Sequence, residues 1–379
     1  MAYSIFRRAA AFFKRETVLC LSLALALVSA FFVPPSLAYL SYIDWDTLAL
    51  LFSLMAIVRG VQKTGLFIYL GGCLLQRTGT TRQVLFVLVF LPFFWSMLIT
   101  NDVSLLTFVP FGLAVLRIIG REGLAVPLLV LQTLAANLGS MLTPMGNPQN
   151  LYIYTQSGMS FGGLCGLMLP YVLASGLCLA LFTALVKSDG VTEKPARTPL
   201  ENPRSLWWYG AGFILCLLGL FGLLPPVAAA AAIALFLLWK DRQVLLSVDY
   251  SLLGTFLGFF IFVGNLGSIE GFKTILAALL AGNVEIAAVL VSQVTSNVPA
   301  ALLLSRFTDQ WQSLAVGCNL GGLGTLIASM ASLISYKMLA EAYPRQRGKY
   351  LLWFTLGNLA LLALLLLLSF ALSALGGRM

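Results

Sequence analysis

Residues 137–150 read Asn-Leu-Gly-Ser-Met-Leu-Thr-Pro-Met-Gly-Asn-Pro-Gln-Asn, set between long apolar runs. Pro144 and Pro148 remove backbone donors, and Gly139 and Gly146 permit tight, non-helical turns. A continuous helix is therefore not expected here. In hydrocarbon, unwound backbone is tolerated only where protein buries it or where it lines a polar cavity. The expectation is two half-helices whose free N–H and C=O ends converge on one point, together with Asn137, Thr143, Asn147, Gln149 and Asn150. An extramembrane loop of ordinary turn residues is the plainer reading. A second copy of the motif argues against it.

That copy is Asn-Leu-Gly-Gly-Leu-Gly-Thr at 319–325, which aligns with 137–143 without a gap, and the register runs on to Tyr154 against Tyr336. Gly321 to Gly324 break a second apolar run at the equivalent place. Two further pairs occur in the same order. Ile43-Asp44-Trp45-Asp46 and Val248-Asp249-Tyr250-Ser251 each open an apolar helix, and Thr100-Asn101-Asp102-Val103 has a counterpart in Ser296-Asn297-Val298-Pro299. Three ordered correspondences point to an internal duplication.

The composition says what surrounds these motifs. The 379 residues are 60% hydrophobic and 10% charged, with mean hydropathy +0.94, whereas a soluble domain carries roughly 25% charged residues. Apolar segments recur from 18–33 to 350–375, and about 20 such residues are needed to cross the ~30 Å hydrocarbon core. Several segments (66–76, 148–157, 272–281, 298–308) are too short to cross alone and read as half-helices or re-entrant hairpins. The fold class expected is an all-α polytopic membrane protein of about 11–13 transmembrane segments.

The net charge of +9 suggests no nucleic-acid partner, because the basic residues form no single patch. Arg7, Arg8, Lys14 and Arg15, then Arg117 and Arg121, Lys240 and Arg242, and Arg345, Arg347 and Lys349 occupy short segments between helices, as cytoplasmic loops do. The partner is the lipid bilayer. The N-terminus is expected in the cytoplasm, with 18–33 as an uncleaved first helix in preference to a signal peptide ending near Ser36-Leu37-Ala38. Six scattered cysteines and no histidine argue against haem and zinc chemistry.

The polar stretch from Lys187 to Arg204, with Asp189, Glu193, Pro195, Pro199 and Pro203, has nothing to bury and should lie in water. The expected organisation is an N-terminal segment and first transmembrane helix (1–42), a first repeat (43–186), this linker (187–204), connecting helices (205–245) and a second repeat (246–379). Basic-residue placement starts the first repeat outside and the second inside, the inverted pattern of secondary transporters.

Asp102 is the sharpest single residue, a carboxylate among Leu98, Ile99, Val103, Leu105 and Leu106. A charge at that depth is costly and defaults to a functional reading, as a sodium ligand or a proton carrier; N-capping a helix is the structural alternative. Asn101 and Asn297 offer amide oxygen to a cation or nitrogen to an anion. Arg59, Lys63 and Arg306 read as snorkelling to the interface, Asp44, Asp46 and Asp249 as helix caps, and Trp207-Trp208-Tyr209 as an interfacial belt.

Thr100-Asn101-Asp102-Val103, Asn137-Leu138-Gly139-Ser140 and Gly146-Asn147-Pro148-Gln149-Asn150 together resemble the ion transporter superfamily. That group includes arsenite/antimonite efflux carriers, NhaD-type sodium/proton antiporters, citrate–metal carriers and divalent-anion/sodium symporters. The likeness runs from Ile43 onward and is strongest to a bacterial branch described as anion transporters. It implies two inverted repeats, each with a re-entrant hairpin and a broken helix. One site would comprise Asn101, Asp102, Asn137, Thr143 and the Gly146-Asn147-Pro148 break; the other would comprise Ser296, Asn297 and the Asn319 to Thr325 break, Gly321 included. The dicarboxylate branch resembles Ser-Asn-Thr at both hairpins. Thr-Asn-Asp and Ser-Asn-Val here lean toward the arsenite or antiporter branches.

The function expected is a secondary carrier moving a small anion, oxyanion or carboxylate, across the inner membrane by alternating access. Sodium or protons would drive it, with Asp102 as the coupling group. Sodium/proton exchange and arsenite-type efflux are the alternatives. No organic cofactor is expected; a sodium ion near Asn101, Asp102 and Asn147 is the inorganic group the pattern would hold. The chain has no GxxxxGK[ST] loop for ATP, so a pump would need a separate ATPase subunit, and a homodimer is compatible with the pattern. Clustered acids or a Ser/His pair for membrane enzymology are missing.

Overall fold

The computed structural model describes residues 16–191, 193 and 199–376; Arg7, Arg8, Lys14, Arg15 and the linker's Pro195 lie outside them. Among the described residues there are nineteen α-helices and no strand. In order they are α1 (Thr17–Ala30), α2 (Tyr39–Tyr42), α3 (Trp45–Lys63), α4 (Leu66–Leu75), α5 (Thr81–Trp95), α6 (Asn101–Ile118) and α7 (Ala125–Gly139). There follow α8 (Pro148–Ser157), α9 (Phe161–Ala184), α10 (Pro203–Leu220), α11 (Pro226–Lys240), α12 (Arg242–Leu246) and α13 (Tyr250–Leu266). The last six are α14 (Glu270–Gly282), α15 (Val284–Thr295), α16 (Asn297–Leu304), α17 (Trp311–Leu320), α18 (Met330–Ala342) and α19 (Arg347–Gly376). The protein is an all-α polytopic membrane protein.

Local chemistry sets the boundaries. The carboxylates of Asp44 and Asp249 accept from Thr47 N and Leu252 N, both at 3.0 Å, capping α3 and α13 as expected. Ser160 Oγ caps α9 by accepting from Gly163 N at 3.0 Å. Gly65 and Gly158, at φ 74° and 68°, supply the left-handed residues that separate α3 from α4 and end α8.

Five stretches are individually long and apolar enough to cross a membrane: Trp45–Lys63, Asn101–Ile118, Glu122–Leu142, Phe161–Ala184 and Pro344–Leu375. A sixth arises if α13 and α14 count together, although they meet at 101°. At ~1.5 Å per residue, the ten residues of α8 or α17 reach only about halfway across the core. The remaining crossings in the expected 11–13 would have to come from the helices of 14–18 residues, α1, α5, α10 and α11, and from the shorter ones in pairs.

The chain forms two compact units. The first takes in the chain to Arg59, Gly212–Asn283 and Leu302–Asp309. There α1 lies along α13: a Cβ at Gly258 would stand 2.7 Å from Ser22 Oγ, so the backbones approach closely. Asn265 Nδ2 donates to Ser29 Oγ and Tyr39 OH, each at 2.9 Å.

The second unit takes in Gly60–Ala211, Val284–Ala301 and the chain from Gln310. Its centre is α7, fully sheathed by α5, α6, α9, α18 and α19. Gln132 Nε2 on α7 donates to the carbonyls of Leu88 at 2.9 Å and Phe108 at 3.1 Å, pinning α5 and α6 to it. The start of the linker is anchored: Asp189 O accepts from Thr81 N at 2.9 Å, and its carboxylate pairs with Arg121 at 3.0 Å. Trp207 and Trp208 are exposed as a belt requires. Tyr209 is not: its ring is buried against Gly60, where a Cβ would collide with it.

Candidate functional site

The site lies within the second unit, around the two helix breaks. Helix α7 ends at Gly139, because Ser140–Leu142 and Pro144–Gly146 are separate 3-10 turns with extended Thr143 between them. Glycine is required at both ends of this break. A Cβ on Gly139 would overlap the Phe93 carbonyl, and one on Gly146 would overlap the Ser140 carbonyl. In the other half, α17 ends at Leu320 and α18 begins only at Met330.

One hydrogen-bonded network joins the polar residues of both breaks. Asn101 Nδ2 donates to Asn137 Oδ1 at 3.0 Å, and Ser329 Oγ donates to the same oxygen at 3.0 Å. Asn137 Nδ2 donates to Ser332 Oγ at 3.2 Å. Ser140 Oγ donates to the Asn137 carbonyl at 2.9 Å and accepts from Asn147 Nδ2 at 2.7 Å. Asn150 Nδ2 donates to the carbonyls of Ser140, Met141 and Thr143 at 3.1–3.3 Å, closing the break on itself. Asn319 Nδ2 reaches over from α17 to Asn150 Oδ1 at 2.6 Å. Asn297 N donates to Ala328 O at 3.0 Å, beside Ser329.

The two halves make matching contacts. Thr143 Oγ1 donates to Met97 O, and Thr325 Oγ1 donates to Gln293 O at 3.1 Å. Gly139 backs onto Ser96, where a Cβ would stand 2.8 Å from Oγ; Gly321 backs onto Ser292, where it would stand 2.6 Å away. The broken helices are offset by 182 positions (143 to 325) and the tips before them by 196 (97 to 293), so each pair is the same contact made twice.

The halves differ at the tips. Asn101 and Asp102 open α6, and Asp102 N donates to Asn101 Oδ1 at 2.9 Å. Asp102 is half-buried in the first turn of α6, where the helix dipole favours a negative charge. The second tip turns on Ser296 at φ 77°, a left-handed conformation that costs a non-glycine residue roughly 1–2 kcal/mol. Ser296 Oγ donates to Ala328 O at 3.3 Å and Ser296 N to Ser292 O at 3.0 Å, holding the turn.

Among the asparagines of the network, two buried side-chain oxygens remain open. Asn147 Oδ1 and Asn319 Oδ1 have no hydrogen-bond partner, although the residues are only 3% and 1% exposed. Their orientation is fixed by the nitrogens. Asn319 Nδ2 also donates to the Ala315 carbonyl at 2.8 Å, which admits only a donor. Ser140 Oγ spends its proton on Asn137 O, so Asn147 must present nitrogen to it. An unpaired buried acceptor costs about 1–3 kcal/mol. The cluster is therefore poised to accept a cation or a donor-bearing solute.

Sequence reasoning named Asn101, Asn137, Thr143, Gly146, Asn147, Asn297, Asn319, Gly321 and Thr325, and all of them belong to this network or to the backbone turns that hold it. Ser329, Ser332 and Gln293 were missed. Ser329 and Ser332 stand 182 positions beyond Asn147 and Asn150, so the repeat register carried them. Gln293 donates to the carbonyls of Gly321 and Leu323 at 3.0 and 2.9 Å and accepts from Thr325 N at 2.9 Å. Its counterpart is Met97, so the register gave no hint of it.

Apolar spans around a buried, uncharged polar network at paired helix breaks define a class: a polytopic membrane transporter. The chain belongs to the citrate transporter family (CitMHS), whose profile matches residues 1–310. It is 34% identical to inner membrane protein YbiR of Escherichia coli over 331 residues, 82% of this chain and 84% of that one. It is also 34% identical to uncharacterized transporter MJ0456 of Methanocaldococcus jannaschii over 303 residues, 78% and 81% of the two chains. A segment of 138 residues is 36% identical to silicon efflux transporter LSI3 of rice, covering 36% of this chain and 28% of that one. The family and the archaeal and rice relatives are named as transporters; the chain is a transporter and not an enzyme.

Proposed function

We propose that the protein is a secondary active carrier of a small anion, an inorganic oxyanion or a carboxylate, working across the inner membrane by alternating access. The observation that carries this reading is the single network joining Asn101, Asn137, Asn147, Asn150 and Asn319 across both breaks, with Asn297 N bonded beside it to Ala328 O. Two repeats of inverted topology, 43–186 and 246–379, would build it, and basic loops would keep the N-terminus in the cytoplasm. The open amide oxygens of Asn147 and Asn319 suit a co-transported sodium ion, while the N-terminal ends of α6 and α16 suit the anion. Asp102, in the first turn of α6, is the coupling carboxylate. Its test is Asp102→Asn in proteoliposomes under an imposed sodium or pH gradient. Coupled accumulation of solute should vanish while the protein stays folded, and full coupled transport by the variant removes Asp102 from the mechanism.

One observation favours a second reading. Every hydrogen-bond partner of the six asparagines is a neutral group, and their two buried atoms left open, Asn147 Oδ1 and Asn319 Oδ1, are acceptors. Such a cluster also fits an uncharged hydroxylated solute that donates O–H, as in arsenite-type efflux, and the rice relative named for silicon efflux agrees with it. Competition separates the two. Undissociated arsenous or silicic acid would block uptake of the tracer on this reading, and citrate or arsenate would block it on the first.

A further inference from the structure

Outside the asparagine network, the first unit carries a cleft of about 450 Å³. It opens where α13 gives way to α14, and it is lined by Tyr42, Ser268, Lys273, Ala277, Arg306 and Phe307. Close packing on one wall shapes it: a Cβ at Gly264 would collide with the Tyr42 ring, so the ring lies flat on α13. The Arg306 guanidinium sits over that ring, 5.9 Å from its centre, and pairs with no carboxylate among the described residues. Lys273 Nζ meets Glu270 at 2.9 Å, but that carboxylate is 86% exposed, and an ion pair so open to water is worth only about 0–1 kcal/mol. Two cations and a serine hydroxyl therefore face one cleft with little to hold them elsewhere.

The helix on its rim supplies the second observation. Helix α14 leaves α13 at 101°. If α13 runs across the bilayer, α14 runs nearly along its surface. Its Leu276 and Leu280 are buried against the protein, whereas Phe272, Ile275 and Leu279 are 46%, 65% and 44% exposed on the adjoining face. An exposed apolar row on a short surface-parallel helix, next to basic residues, is the arrangement that beds into the boundary between headgroups and acyl chains. The cleft then lies at headgroup depth.

We infer that this cleft binds the phosphate of an anionic phospholipid, with Arg306 and Lys273 on the phosphate oxygens and Phe272, Ile275 and Leu279 among the acyl chains. Arginine suits the forked geometry of a phosphate, and basic pockets at this depth hold acidic headgroups. The inference is independent of which solute is carried. A bound lipid here would stiffen the junction between α13 and α14.

The full chain in nanodiscs tests it, by thermal unfolding in phosphatidylcholine alone and with phosphatidylglycerol added. The unfolding midpoint of the unsubstituted protein should rise with phosphatidylglycerol. The Lys273→Gln/Arg306→Gln double variant, both changes at side chains not buried in the core, should match it in phosphatidylcholine yet lose more than half of the rise. Inorganic phosphate added to phosphatidylcholine discs should not reproduce the rise. A double variant that keeps the full rise, an unsubstituted protein that shows none, or free phosphate that gives the same effect each overturns the assignment.

Discussion

Asn137 and Asn319 stand 182 positions apart, and each donates to a residue in the first turn of the helix that follows the other's break. Asn137 Nδ2 reaches Ser332 Oγ at 3.2 Å and Asn319 Nδ2 reaches Asn150 Oδ1 at 2.6 Å. Ser332 and Asn150 are themselves 182 apart, so the two bonds are one contact and its reciprocal. Both polar atoms of the Asn137 amide are partnered, the oxygen by Asn101 and Ser329 and the nitrogen by Ser332. Asn319 keeps an open oxygen, because the residue matching Ser329 is Asn147, which turns its nitrogen to Ser140 instead.

Replacing the occupied member should cost folding. Asn137→Ala strips partners from Asn101, Ser329 and Ser332 together, and a destabilisation of about 1–3 kcal/mol per unsatisfied buried group is expected. A thermal-unfolding midpoint equal to that of the unsubstituted protein in the same detergent would contradict the network.

The breaks themselves depend on glycine. Gly139→Ala and Gly146→Ala drive a Cβ into backbone carbonyls that have no room to yield, so little monodisperse protein should be recovered from size exclusion. Gly72→Ala, where a Cβ meets nothing within 4 Å, is the control and should behave normally.

How much of this could be read in advance follows from where the signals lie. Every long apolar segment became a helix, because burial of apolar runs in lipid leaves the backbone no other way to pair its polar groups. Proline and glycine marked the break at 139–148, since both act locally on backbone freedom. Tyr209 went the other way: next to two tryptophans it reads as interfacial, and only the absent side chain of Gly60, about 150 positions earlier, makes a place for it in the core. Gln293 escaped for a similar reason. Its three bonds to the 321–325 turn exist only once α15 and the break lie side by side. Which oxygens stay open at Asn147 and Asn319 is likewise a property of packing, not of spacing.

Gln293 yields a further prediction. Gln293→Leu keeps the volume but removes the brace on the second break, so a lower unfolding midpoint and lost transport are expected; Gln293→Glu, which sets a carboxylate oxygen against the Gly321 and Leu323 carbonyls, should do no better. Normal uptake by Gln293→Leu in proteoliposomes would show that the turn at 321–325 holds itself.

The left-handed tip separates strain from contact. Ser296→Gly relieves the φ of 77° but deletes the bond to Ala328 O. Stability should change little, since glycine removes a strain of roughly 1–2 kcal/mol while one hydrogen bond worth about 0.5–1.5 kcal/mol is lost. A large fall in unfolding midpoint would mean that the hydroxyl has a heavier role than its 3.3 Å contact indicates.

The most direct measurement is gradient-driven uptake by Asn147→Ala. The Asn147 amide oxygen has no protein partner and its nitrogen only one, so the variant should fold and reconstitute. Solute accumulation under a sodium or pH gradient should disappear, because the open oxygen at the break is gone. Accumulation at the unsubstituted rate by folded Asn147→Ala protein would mean that solute and ion cross somewhere other than this network.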